Sequence, residues 1–185
     1  MKPPHRYPGY DVLDKRDSTS WDDITRRVVS GRLNPPARQF LDDQCWDVLL
    51  ALCDTVAPQP ERDPPIPVAA WIDAALMQNR TTGTRYANLP PMRKAWLQGL
   101  AALDAEAELC HGRRFCQLAQ DKREALLKAV DGEDVKAPEW GGLPPRRLFR
   151  EVLANEILRV YYSHPAAWSE IGFGGPASPR GYVRL

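Results

Sequence analysis

Eighteen prolines in 185 residues fall in clusters between stretches of apolar periodicity rather than inside them, and this arrangement limits the possible folds more than any other feature. Proline has no backbone N–H and its ring clashes with the preceding helical turn, so it belongs at helix starts and in stiff connectors. Breaks at Asn34-Pro35-Pro36, Pro58 to Pro67, Pro90-Pro91, Pro138 to Pro145 and His164-Pro165 therefore divide the chain into separate segments. Within the segments apolar residues recur every three or four positions, the spacing of a helix buried along one face. No run of alternating, β-branched residues bounded by hairpin turns occurs, so no sheet is expected.

The expected fold is all-α, a single irregular bundle of about six helices with extended N- and C-terminal arms. Ser20 is suited to cap the first helix, with Asp22 and Asp23 in its first turn and an end near Gly31. Asp42 or Asp43 caps a second, whose Trp46, Leu49, Leu50, Cys53 and Val56 form a stripe expected to be buried. A third runs from Val68 to about Asn79, and a polar turn region, Thr81 to Asn88, follows it. The longest stretch opens at Pro90-Pro91, carries Trp96, Leu100, Leu103, Ala107 and Cys110 on one face, and stops at Gly112. A fifth helix spans about Gln120 to Val130. The sixth presents Phe149, Val152, Leu153, Ile157, Val160 and Tyr161 and ends at His164-Pro165, because the residue before proline is pushed out of helical geometry. Residues 1–19 read as an extended arm, 20–163 as the helical domain, and 164–185 as an extended arm for partner docking.

Composition sets the class of partner. At 43% hydrophobic and 26% charged the chain buries an ordinary core, and a net charge of +1 without blocks of like charge gives no footprint for nucleic acid or an anionic membrane. No stretch approaches 18 apolar residues, so no transmembrane segment is expected. The first thirty residues show no charged n-region followed by an apolar core, so no export signal is expected of the chain itself.

The residues that could carry chemistry are few. Gly172, Gly174 and Gly175 do not have dinucleotide-loop spacing, and no strand precedes them. Cys110, His111 and Cys116 lack the second pair a zinc site needs. His5, His111 and His164 have no nucleophile in a recognisable elbow beside them. Glu156 borders the last apolar face, as an exposed edge residue or a hydrogen-bonded clamp. Cys45 and Cys53 lie too far apart on one helix to bond together, while a bridge from either to Cys110 or Cys116 stays open in an oxidising compartment. Trp21, Trp46, Trp71, Trp96 and Trp140 read as core or interface anchors. No catalytic, cofactor-binding or metal-binding residue is assigned.

The last 22 residues, HPAAWSEIGFGGPASPRGYVRL, combine chain-breaking glycines and prolines with Trp168, Ile171, Phe173 and Tyr182. Burying one such side chain is worth about 1.5–3 kcal/mol, so the segment should lie on its own helices or on another chain. We take Trp168, Ile171, Phe173 and Tyr182 as candidate partner-interface residues.

This tail also carries a resemblance. Pro165, Trp168, Glu170-Ile171-Gly172, Gly174-Gly175-Pro176-Ala177 and Arg180-Gly181-Tyr182 resemble the C-terminal signature of the gluconate 2-dehydrogenase subunit 3 family. Upstream, Trp46, Leu49, Cys53-Asp54 and Val56-Ala57-Pro58 are similar to its early helix, and Leu100-Ala101-Ala102-Leu103-Asp104 to its central one, so that the likeness covers about residues 40 to 185. The resemblance implies a non-catalytic small subunit that binds, stabilises or helps assemble and export a large glucose-methanol-choline (GMC) type dehydrogenase subunit acting on a sugar, glycoside or gluconate. It implies no cofactor in this chain, FAD in that partner, and haem c in a cytochrome third subunit. Localisation would follow the partner, periplasmic or membrane-associated within a complex and otherwise cytoplasmic. A transient assembly chaperone and a stand-alone helical enzyme with an unrecognised pocket are the alternatives.

Overall fold

The computed structural model describes residues 7–60, 62–80 and 87–176, and among these the regular elements are all helices, with no strand. The chain divides into two compact units, residues 36–158 and a unit built from both ends, residues 1–35 with 159–185.

In the larger unit, α2 (Asp43–Val56) begins at Asp42, whose carboxylate accepts the Cys45 N–H at 2.8 Å. Its inward face is turned from the expected stripe: Val48, Leu49, Ala51, Leu52 and Cys53 are buried, whereas Leu50 is 45% exposed. Trp46 is half-buried, with the Arg38 guanidinium over its ring. The next helix, α3 (Val68–Met77), follows Pro67, and Arg93 covers its end by donating from Nε to the Leu76 carbonyl at 2.6 Å. The longest, α4 (Met92–His111), starts after Pro91 and stops where Gly112 turns left-handed. Trp96, Leu100, Leu103 and Ala107 are buried as the spacing predicts, and Cys110 is exposed.

After α5 (Gln120–Asp131) the chain passes a 3₁₀ turn, Pro138–Trp140, and enters a continuous helix, α6, made of Pro145–Arg147, Leu148–Ala154 and Asn155–Tyr162. The middle segment is π-helical. Its wider turn places Leu148 in the core, fully buried, and leaves Phe149 half-buried. Leu148 packs onto Gly99 of α4 so closely that a Cβ there would lie 2.8 Å from Leu148 Cδ2. Helices α2 and α4 pack together and both hold the 3₁₀ turn Phe115–Gln117, so Phe115 is fully buried.

The boundary between the units falls inside α6, after Leu158. In the terminal unit, α1 (Asp23–Arg32) is capped by Asp22, which accepts the Thr25 N–H at 2.7 Å, so the cap lies two residues beyond Ser20. Two stretches read as extended arms are helical: Val12–Lys15 is a 3₁₀ turn and Pro165–Ile171 is a seventh helix, α7. His164 is extended, as a residue before proline must be, and the same geometry makes it the cap of α7, its Nδ1 accepting the Ala166 N–H at 3.2 Å. The dipeptide that ends α6 thus starts α7.

Candidate functional site

Buried charge is where chemistry usually concentrates, and three carboxylates are buried in the 36–158 unit: Asp73, Asp104 and Glu106. Each captures backbone N–H groups of an irregular segment. Asp73, on α3, accepts from three consecutive amides, Gln39 at 2.6 Å, Phe40 at 3.2 Å and Leu41 at 2.8 Å. Asp104, on α4, accepts from the Phe115 N–H at 2.8 Å, Arg114 Nε at 2.9 Å and Gln44 Nε2 at 3.3 Å. Two residues further along α4, Glu106 accepts from the Lys136 N–H at 2.9 Å, the Ala137 N–H at 2.8 Å and the Trp140 indole at 3.0 Å.

Burial pushes the Glu106 carboxyl up, but hydrogen bonds from Ala137, Lys136, Trp140 and the Cys110 thiol outweigh it and hold the group below the ordinary glutamate value. A general acid or base must turn a proton or lone pair toward a substrate. These three carboxylates turn theirs toward the chain's own loops, and act as clamps that replace the hydrogen bonds irregular backbone would otherwise lack.

The four cysteines are all free thiols. Burial raises the Cys53 thiol to about 12, and burial with Asp42 raises Cys45 to about 11. Cys110 is also raised, by burial and by its bond to Glu106. A nucleophilic cysteine requires the opposite shift. Among the described residues no group of three or more His, Cys, Asp or Glu side chains is arranged to hold a metal ion, and no helix is long and apolar enough to cross a membrane.

A surface groove of about 360 Å³ lies on the 36–158 unit, with Val56, Leu127 and Phe149 among its walls. Within its lining Asp131 accepts from Arg150 Nη2 at 2.6 Å, and Glu124 from Gln120 Nε2 at 3.1 Å.

The terminal unit is organised around the tail. Val12, Trp21, Val29 and Trp168 form its core, with Tyr10, Leu13 and Phe173 packed against them. The Tyr10 hydroxyl donates to the Phe173 carbonyl at 3.2 Å, the Val12 N–H to Ser169 Oγ at 3.1 Å, and Arg32 Nη1 to the Ser163 carbonyl at 2.7 Å. Trp168 stacks edge-on with Phe173, 5.6 Å between centroids, under the Arg32 guanidinium. Gly172 and Gly175 are points of close approach at φ +68° and +79°, where a Cβ would meet the Tyr7 ring and the Trp21 indole. The glycines of the tail thus bring the N-terminal segment onto the C-terminal one.

The four candidate interface residues separate accordingly. Trp168 is only 4% exposed and Phe173 is half-buried, both within the chain's own core, while Ile171 is 50% exposed. Tyr182 lies outside the described residues, as does His5. Glu156 is half-buried on α6.

Sequence reasoning missed the outward residues of α1. Ile24 is 69% and Val28 50% exposed, and with Tyr7, Leu33, Tyr162 and Ile171 they place six large apolar side chains on the surface of the smaller unit. In the sequence both stand only within a short helix ending near Gly31; the buried residues of that helix are Thr25 and Val29.

One family model, described as gluconate 2-dehydrogenase subunit 3, matches residues 43–175. No curated protein and no solved structure matches the chain.

Proposed function

Because the chain belongs to the gluconate 2-dehydrogenase subunit 3 family, we propose that it is a non-catalytic small subunit that binds and stabilises the catalytic subunit of a dehydrogenase complex. That partner is a GMC-type flavoprotein holding FAD and oxidising a hydroxyl of a sugar, glycoside or aldonate, and a cytochrome with haem c takes up the electrons. The complex works in the periplasm or at the membrane, carried there by the partner.

One observation supports this reading above the others: the polar chemistry of the chain faces inward while its terminal unit leaves Ile24, Val28, Leu33, Tyr162 and Ile171 facing outward. Of the eleven large apolar side chains exposed among the described residues, six lie on this smaller unit and five on the 36–158 unit, and apolar side chains left in solvent are what a partner would cover. The buried carboxylates are saturated by their own loops, which suits a scaffold that must hold its shape rather than turn over a substrate.

Coexpression with the catalytic subunit tests the proposal. Recovered dehydrogenase activity, measured with an artificial electron acceptor, should fall at least about tenfold when this chain is omitted, and the two chains should elute together at fixed stoichiometry. Full activity without this chain, or association that disappears from the active enzyme, would reject the small-subunit role.

A further inference from the structure

We draw no further inference here: the strongest candidate, the outward face of α1 carrying Ile24 and Val28, is an exposed apolar patch, and nothing in the structure shows what covers it.

Discussion

Glu106 shows at a single residue how this chain uses charge. Its carboxylate gathers two backbone amides, an indole and a thiol, so that the irregular stretch around Lys136 and Ala137 is fixed to α4. In Glu106→Gln one acceptor oxygen becomes an NH₂ group facing N–H donors, and the variant should lose about 2–4 kcal/mol, read by chemical denaturation at pH 7. The pH dependence has a defined sign. The folded-state value lies below the ordinary 4.5, so this group stabilises the fold at neutral pH and loses that contribution as pH falls from about 4.5 through the folded value. Glu106→Gln should therefore show a shallower loss of stability on acidification than the unmodified chain; parallel curves would contradict the clamp. Little of this was visible in the sequence, because the amide and indole donors stand 30 to 34 positions from the acid and backbone amides leave no residue signature. Asp73 did leave one: it is the sole charged residue in the ten-residue helix VAAWIDAALM, and a lone acid in an apolar helix has to find donors or unfold it.

At the level of elements, six helices were legible because proline breaks and 3.6-residue periodicity agreed, and caps such as Asp42 and Gly112 stand where the residue types place them. Three features were not. The α2 stripe was assigned to a face containing Leu50, since a helix apolar on most sides gives periodicity no unique direction. The π-helical segment of α6 exchanged Leu148 for Phe149 at the core, a shift no regular period anticipates. Helix α7, seven residues long, lay among glycines and prolines that outweighed its two turns. Those glycines have a specific duty that substitution can expose. Gly172→Ala puts a side chain at φ +68° and a methyl group 2.4 Å from the Tyr7 ring. It should destabilise the terminal unit by about 1–2 kcal/mol, seen as faster hydrogen exchange in α1 and α7. Exchange equal to that of the unmodified chain would mean that the tail does not depend on this approach.

For the whole molecule, the decisive feature is that the two chain ends form one unit. The sequence suggested a greasy tail reaching for a partner, yet Trp168 is covered by Val12, Trp21 and Val29 of the same chain. What the unit offers outward comes instead from Ile171, in the tail, from Tyr7, Leu33 and Tyr162, and from α1, which carried no motif and therefore no warning. Truncating residues 164–185 would remove Trp168 from beneath the N-terminal segment as well as any tail contact, so substitutions on the outer surface are the cleaner probes. The central claim is that this terminal unit is the face on which the chain meets a catalytic subunit. Hydrogen exchange of the chain alone and in complex with that subunit tests it most directly. The account predicts new protection concentrated in residues 23–33 and 159–172, with the 36–158 unit largely unchanged. Protection confined to the 36–158 unit, with the terminal unit exchanging as it does alone, would contradict it.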